Sequence, residues 1–276
     1  MRFSVLMSIY YKEKPEHFNR AMQSIWYEQT VKPDEIVLVE DGELTNDLYS
    51  VINDWESKLG RVLKRVPLER SVKLGQALNI GLKECSYELV ARMDTDDISL
   101  PYRFEKQLKV FEKDQTIDVC SGWVSEFVDD ENVITSYRKV PENHEEIVKY
   151  AKFRCPVNHP AVMYKKSSVL NVGGYGEYQY YKIQQEDYHL WVRMILEGAR
   201  FYNIQEPLVK MRFSDSMIKR RAGIYYAKSE LRLLNEFKNL GFLTTGEYIK
   251  NIFLRVPIRL MPVRILKAIY KLSRAI

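Results

Sequence analysis

The sequence lacks the features that mark several large protein classes. No uninterrupted apolar run approaches the ~18–20 residues of a bilayer-spanning helix, so we do not expect an integral membrane protein. The three cysteines, at positions 85, 120 and 155, include no CxxC pair, so neither a disulfide framework nor a zinc site is indicated. Residues 11–16, which follow the first apolar run, contain no glycine, whereas a GxGxxG dinucleotide-binding loop would require several.

Acidic residues are also absent from one region, the last 29 residues. The 276-residue chain carries a net charge of +5, but residues 248–276 hold seven basic and no acidic side chains, so the rest carries −2. A mildly acidic body with a basic, apolar tail is not typical of nucleic-acid-binding proteins. It predicts contact with an anionic membrane surface, and the alternative is a solvated basic helix packed on the body.

The first half of the chain alternates between strand and helix patterns. The predicted strands are 3–10, 35–39, 61–66 and 87–93. Amphipathic segments between them predict helices, and a further helix is predicted at 101–111. This alternation indicates an α/β fold with an open, mainly parallel sheet, in which ligands bind at the carboxyl ends of the strands.

The second half is less regular. Its predicted strands are 117–127, 133–138, 161–164, 200–204 and 208–213, and its predicted helices are 142–153 and 186–196. From Ser216 onward the pattern is helical to the end, broken by Pro257 and Pro262. No low-complexity linker divides the chain.

The strongest local signal for chemistry is the run Asp94-Thr95-Asp96-Asp97, directly after the fourth predicted strand. Three carboxylates within four residues repel one another unless a positive charge lies among them. Mg²⁺ and Mn²⁺ bind few carboxylates and take further oxygens from phosphate and water, so the run predicts such a cation. The alternative is a solvated turn, with Ser99 capping a helix that begins at Pro101.

Two further polar segments follow the second and third predicted strands. Asp41, between Glu40 and Gly42, either accepts hydrogen bonds from a base or ribose at the same sheet edge or closes an Asx turn. Arg70 and Lys73 follow the third strand, where a diphosphate would need cations. The alternative for this pair is the charged surface of a helix start.

The second half of the chain adds two more candidates. Glu186 and Asp187 begin a predicted helix, where the helix dipole favours acids, so they are either ordinary first-turn acids or include a general base. Arg212 and the run Lys219-Arg220-Arg221 either bind phosphates or form a solvated face. None of these segments is decisive alone.

In this order, however, the motifs resemble those of family 2 glycosyltransferases, the inverting, nucleotide-sugar-dependent enzymes of GT-A fold. The specific combination is a strand-end Asp-Gly, an Asp-x-Asp-Asp and a downstream Glu-Asp helix. The matching stretches are 4–10, 24–29, 35–42, 74–79, 93–101 and 186–193. The resemblance implies a mixed, mainly parallel sheet flanked by helices. It also implies a catalytic domain at 1–215, with a nucleotide-sugar half at 1–113 and an acceptor half at 114–215, before a helical region at 216–276.

The resemblance implies roles for individual residues. The residues implied to hold the nucleotide sugar are Ser8, Tyr10, Asp41, Arg70, Asp94, Asp96 and Asp97. Among them, Asp94 and Asp96 are the implied ligands of Mn²⁺ or Mg²⁺, and Asp97 is an implied contact of the donor sugar. Spacing leaves Glu186 and Asp187 both open as catalytic bases, and the resemblance selects Asp187.

One departure from the family pattern affects the metal site. Many relatives have a histidine shortly after the arginine of the last strand, whereas here Arg212 is followed by Phe213-Ser214-Asp215. Asp215 is the candidate substitute.

The implied reaction moves a hexose, galactose or glucose, from a UDP-sugar to a HexNAc-diphosphate-polyprenol, forming a β1,3 linkage in O-antigen or capsule assembly. Arg212, Lys219, Arg220 and Arg221 would bind the diphosphate of this acceptor. The tail would hold the enzyme peripherally on the cytoplasmic face of the bacterial inner membrane, while the nucleotide and base sites lie upstream of it. The alternatives are another polysaccharide or glycolipid acceptor, or a non-catalytic sugar-nucleotide-binding protein of the same fold.

Overall fold

The strands of the chain join in one mixed sheet. The structure is a computed structural model that describes residues 1–176 and 185–273, without the side chains of residues 215, 216 and 270–273. The strands are β1 (Phe3–Ile9), β2 (Glu35–Glu40), β3 (Leu63–Pro67), β4 (Leu89–Arg92), β5 (Ile98–Ser99), β6 (Ile117–Phe127), β7 (Ser136–Arg138), β8 (Met163–Lys165) and β9 (Arg200–Arg212).

Helices connect and cover these strands. They are α1 (Pro15–Trp26), α2 (Asn46–Leu59), α3 (Leu74–Glu84), α4 (Arg103–Lys113), α5 (His144–Ala151), α6 (Lys166–Asn171), α7 (Glu186–Leu196), α8 (Asp215–Arg220), α9 (Ile224–Asn239), α10 (Thr245–Leu260) and α11 (Val263–Ser273). The main strand order is β3-β2-β1-β4-β8-β6-β9-β5, and β7 pairs with β6. Strands β3, β2, β1 and β4 are parallel, as predicted, whereas β8 is antiparallel to both of its neighbours.

Both faces of the parallel half are buried, which explains why its strands are nearly continuous apolar runs. On one face Val5 and Met7 belong to a core that includes side chains of α1, α2 and α4. On the other face Leu6 and Val37 pack with side chains of α3 and α7. The sheet thereby fixes the carboxyl ends of β1, β2 and β4, and the helix start of α7, against one rigid core.

The structure corrects three sequence predictions. Ser99 does not cap a helix, because it pairs with Val209 in the sheet, and α4 begins only at Arg103. The strands predicted at 200–204 and 208–213 form one strand, β9, because register irregularities in its pairing with β6 accommodate Pro207. Pro257 does not break α10. Proline removes a hydrogen bond to the carbonyl four residues earlier, and that residue, Phe253, is 74% exposed, so water can replace the bond.

The C-terminal helices differ in how they join the body. A cluster of buried side chains ties α9 and the loop after it to α5 and α7, namely Ala151, Tyr188, Val192, Leu233, Leu234, Phe237, Phe242 and Leu243. Tyr248, Ile252 and Val256 of α10 are partly buried against this cluster. Asn251 on α10 is fully buried and donates to the carbonyl of Lys152. On α11, Leu266 is buried but Ile265 is 48% exposed. The predicted tail is therefore two structures, of which α10 is an integral part of the body.

Candidate active site

Asp41 links the loops that follow β2 and β3. Its carboxylate accepts hydrogen bonds from the backbone N–H of Val72 (2.6 Å) and the hydroxyl of Ser71 (2.9 Å). Gly42 makes this contact possible, because it has a φ of +85° and a Cβ there would lie 2.7 Å from the Ser71 nitrogen. The sequence did not indicate Ser71 or Val72 as partners. Asp41 thus positions the segment that carries Arg70.

The predicted nucleotide-sugar residues of this half gather at one sheet edge. Ser8 lies near the carboxyl end of β1, opposite Val39 of β2, and Tyr10 follows it with 42% of its surface exposed. Arg70 is exposed in the loop after β3, which is parallel to β2. The structure therefore brings Ser8, Tyr10, Asp41 and Arg70 to neighbouring strand ends, with Asp41 facing the protein and the other three accessible.

The acidic run 94–97 divides into three environments. Asp94 forms a two-pronged ion pair with the buried guanidinium of Arg92. Asp96 is half-buried, and burial together with the negative charge of Asp94 raises its pKa to about 7. Asp97 is buried and accepts the backbone N–H of Arg212 (2.9 Å), which anchors the end of β9. Burial and the charge of Asp96 raise the pKa of Asp97 as well.

A carboxylate that the sequence did not reveal joins this run. Glu13, in the loop after β1, accepts a hydrogen bond from the hydroxyl of Thr95 (2.8 Å). Burial raises the pKa of Glu13, and the charge of Asp94 adds to this effect. The sequence analysis used only the lack of glycine in this loop. An acidic residue after the first strand of a nucleotide-binding sheet was the signal that could have indicated Glu13.

The donor set fits a divalent cation that is shared with a phosphate ligand. Among the described residues, no three His, Cys, Asp or Glu side chains converge into a ready-made metal site. Asp96 nevertheless has a carboxylate whose ionisation is disfavoured by burial and by Asp94, and a bound cation would reverse this. Mg²⁺ and Mn²⁺ commonly use one or two carboxylates plus phosphate oxygens. The side chain of Asp215 lies outside the described part of the structure.

The second acid pair begins α7. Glu186 packs towards α3, since a Cβ at Gly75 would lie 3.5 Å from its Cγ, and the charge of Asp94 reaches it. Asp187 has a different neighbour: its carboxylate lies 3.8 Å from the sulfur of Cys155, and the charges of Arg221 and Arg92 act on it. Burial raises the pKa of both, for Glu186 to about 7. A buried carboxylate with a raised pKa is a stronger base.

One cavity of about 1130 Å³ connects these groups. Its lining runs from Asp94 and the start of α3 past Glu186 and Asp187 to residues of α8, α10 and α11. Of the four predicted acceptor-phosphate cations, Arg220 and Arg221 line it. Arg212 and Lys219 are not among its described lining residues. Arg212 instead lies over the ring of Phe127, with 4.6 Å between the guanidinium carbon and the ring centroid.

Comparison with known proteins identifies a family and several relatives that this chain resembles. Residues 4–170 match the sequence profile of the family described as "Glycosyl transferase family 2". Across 271 residues, 98% of this chain and 95% of the relative, the sequence is 42% identical to an Escherichia coli protein. That protein is described as UDP-Gal:alpha-D-GlcNAc-diphosphoundecaprenol beta-1,3-galactosyltransferase. The present chain is also 38% identical over 275 residues, 99% of both chains, to the amylovoran biosynthesis glycosyltransferase AmsE of Erwinia amylovora.

Solved structures support the fold. A mannosyltransferase from Pyrobaculum calidifontis in complex with GDP-Man and Mn²⁺ superposes with a TM-score of 0.67 at 16% identity, covering 100% of this chain and 76% of that one. TarS 1–349 of S. aureus in complex with UDP-GlcNAc gives 0.65 at 17% identity, covering 94% and 72%. At such identities the likeness concerns the fold, and it confirms the predicted mixed sheet flanked by helices.

Proposed function

Because the chain belongs to glycosyl transferase family 2, we propose that it moves a hexose from a UDP-sugar to a lipid-linked sugar diphosphate, with inversion at the anomeric carbon. The observation that carries this proposal is the single cavity that joins Asp94 to Glu186 and Asp187. A donor held at the strand ends and an acceptor held beyond α7 would meet in this cavity, next to a half-buried carboxylate.

The donor and the acceptor follow from the relative at 42% identity, whose description names UDP-Gal and α-D-GlcNAc-diphosphoundecaprenol. We therefore favour UDP-galactose over UDP-glucose, a HexNAc-diphosphate-undecaprenol acceptor and a β1,3 linkage. The description of the Erwinia relative names a polysaccharide pathway, which keeps capsule assembly beside O-antigen assembly. The alternatives are a different glycolipid acceptor, or nucleotide-sugar binding without transfer.

Donor binding is proposed for the strand ends. Ser8, Tyr10 and Arg70 would contact the nucleotide, while Asp41 holds the loop that carries Arg70. Asp94 and Asp96 would hold Mn²⁺ or Mg²⁺, which when bound offsets the negative charge of the departing UDP. Arg92 fixes the orientation of Asp94 beforehand. The Asp97 carboxylate accepts the backbone N–H of Arg212 and so anchors the acidic run to the end of β9. We therefore do not propose Asp97 as a sugar contact.

Asp187 is the proposed base. The acceptor hydroxyl loses its proton as it attacks, and a carboxylate within hydrogen-bond reach can take it. A single displacement with one base inverts the configuration, so an α-linked donor yields a β-glycoside. Glu186 lies next to α3, whose start lies at the proposed donor side, whereas Asp187 lies next to Cys155. The base must face the acceptor, which supports Asp187.

The C-terminal surface supports peripheral membrane binding at the cytoplasmic face of the inner membrane. Ile249, Phe253 and Leu260 are 47%, 74% and 55% exposed at spacings of four and seven along α10, so they form one apolar stripe. Basic side chains of α11 flank the exposed Ile265. Such a surface lies well on anionic lipid. No helix in the described part of the chain is long and apolar enough to cross a bilayer.

A donor screen tests the proposal. Purified protein is incubated with a synthetic GlcNAc-diphosphate-lipid and each of UDP-Gal, UDP-Glc and UDP-GlcNAc, with Mn²⁺ or with EDTA. We expect a metal-dependent disaccharide product from UDP-Gal, with a β linkage by NMR. UDP binding without product from any donor would support the non-catalytic alternative, and transfer only to other glycolipids would support the first alternative.

A further inference from the structure

The cavity does not end at Asp187. Its lining also includes residues of β7, α8, α10 and α11. The wall there has two kinds of side chain. Its apolar members are Met217, Leu254, Ile258, Leu266 and Ile269, and its cationic members include Arg138 and Arg221. A cationic wall beside an apolar one fits an amphiphilic anion.

Arg138 has the environment of an anion-binding group. It lies on β7, its side chain is 18% exposed, and its Nε forms an ion pair with Glu126, which is itself buried. Its Nη2 is buried and has no hydrogen-bond partner among the described residues. A buried donor without a partner is costly, and a guanidinium engaged on one side only can still offer its second edge to a phosphate.

Arg221 places a second cation close by. Both arginines line the cavity, and the charge of Arg221 adds to burial in lowering the pKa of Arg138. The charge of Arg221 also acts on Asp187. An anion bound by these two arginines would relieve their repulsion and would lie beside the proposed base.

We propose that Arg138 and Arg221 bind the diphosphate of a lipid-linked acceptor, and that Leu254, Ile258 and Ile269 hold the first part of its apolar chain. This inference rests on the proposed function and extends it to the acceptor's anchor. In this arrangement the acceptor sugar occupies the space between the two arginines and Asp187, and its chain leaves between α10 and α11. The exposed apolar stripe lies on the same helix, α10. The membrane would receive the rest of the lipid chain there.

The diphosphate could instead be that of the donor, and the experiment separates the two sources. The variants are Arg221→Gln and Arg138→Lys, because Arg138→Gln would leave the buried Glu126 without its cation. Lys228→Gln, an exposed lysine of α9, is the matched control. Calorimetry measures the affinity of each protein for UDP and, without donor, for GlcNAc-diphosphate carrying an eleven-carbon alkyl chain. Thermal unfolding verifies that each variant is folded.

We expect either arginine variant to weaken binding of the diphosphate-lipid by about tenfold, the order for losing one charge-assisted hydrogen bond, with UDP affinity within about twofold of wild type. A parallel loss of UDP affinity would assign the arginines to the donor and overturn the proposal. Unchanged acceptor binding would also overturn it. Wild-type protein that binds the diphosphate-lipid but transfers no sugar would refute the proposed function alone.

The apolar part has its own test. For wild type, affinity should rise as the alkyl chain of the acceptor lengthens, by about fourfold for each methylene that the cavity buries. The double variant Ile258→Ser/Ile269→Ser should flatten this dependence, whereas Phe253→Ser, on the outer face of α10, should keep it. A chain-length dependence that survives in the double variant would place the lipid elsewhere.

Discussion

The two acidic segments that line or adjoin the cavity look alike in sequence but differ in how the fold uses them. The segment 94–97 follows a strand, and its three carboxylates have different positions. Asp94 lines the cavity, Asp96 is half-buried and Asp97 is in the interior. The pair 186–187 begins a helix, and both carboxylates line the cavity while facing different neighbours. The backbone around an acid therefore decides its role more than the number of acids nearby.

The segments also differ in the source of their support. The counter-charge of Asp94 is Arg92, two residues away in the same chain segment. The start of α7 is supported by C-terminal helices: Gln185 donates to Glu230 of α9 (3.0 Å), and Glu230 in turn pairs with Arg255 and Arg259 of α10. The counter-charge on the donor side is thus local in sequence, whereas the base side depends on the end of the chain.

The largest expected effect concerns the donor side. Asp96→Ala should reduce transfer by at least about 10³-fold, because loss of a ligand removes several kcal/mol of stabilisation of the departing UDP. EDTA should do the same to wild type, and Mn²⁺ should restore activity. The exposed Asp54→Asn variant is the control in the same radiochemical assay. Full activity of Asp96→Ala, or of wild type in EDTA, would refute the metal assignment.

A shortened chain tests the dependence of the base side on α10. Truncation after Gly246 removes both cations of the fully buried Glu230, and an uncompensated buried charge costs ~3–5 kcal/mol. We therefore expect a lower unfolding temperature and loss of transfer even to short, soluble acceptors. The nucleotide and base sites lie upstream of the tail in sequence, but we expect them to depend on α10.

Truncation after Leu260 removes only α11 and is the comparison. It should keep the folded core and activity on short-chain acceptors, but bind anionic vesicles less well in a sedimentation assay. If both truncations behave alike, α10 and α11 do not differ in the way described.

A smaller effect is expected in the pH dependence of stability. Glu186 has a pKa of about 7 in the folded protein against an ordinary value of 4.5, so the fold favours its protonated form. Its contribution is fully present below 4.5 and is lost as pH rises through 7, a loss of up to roughly 3 kcal/mol. Glu186→Gln should therefore stabilise the protein relative to wild type more at pH 8 than at pH 5 in thermal unfolding.

The exposed Glu112→Gln variant should show no such pH-dependent difference. An equal effect of Glu186→Gln at both pH values would mean that Glu186 does not titrate in this range.

The sequence predicted what depends on local pattern. The alternation of strands and helices placed Asp41, Asp94 and Glu186 at strand ends and a helix start, and the structure confirms those positions. It could not predict partners that are distant along the chain. Arg138 and Glu230 carry no local signal, because their roles arise only where β7 meets α8 and where α9 meets α7.

Similarly, Asp97 was indistinguishable from Asp96 by type and spacing. Its direction is set by the backbone N–H of Arg212, 115 residues later. The continuation of α10 through Pro257 could not be predicted from local pattern either. The cost of the hydrogen bond that proline removes depends on which face of the helix is exposed.

The proposed assignment of the two acids is that Asp187 is the base and Glu186 lies on the donor side. It is tested most directly by measuring kcat and the UDP dissociation constant for Asp187→Asn and Glu186→Gln, which preserve shape and remove one charge each. We expect Asp187→Asn to lower kcat by about 10²–10⁴-fold with UDP affinity within about twofold of wild type, and Glu186→Gln to lower kcat by less than about tenfold. Normal turnover by Asp187→Asn together with an inactive Glu186→Gln would contradict it.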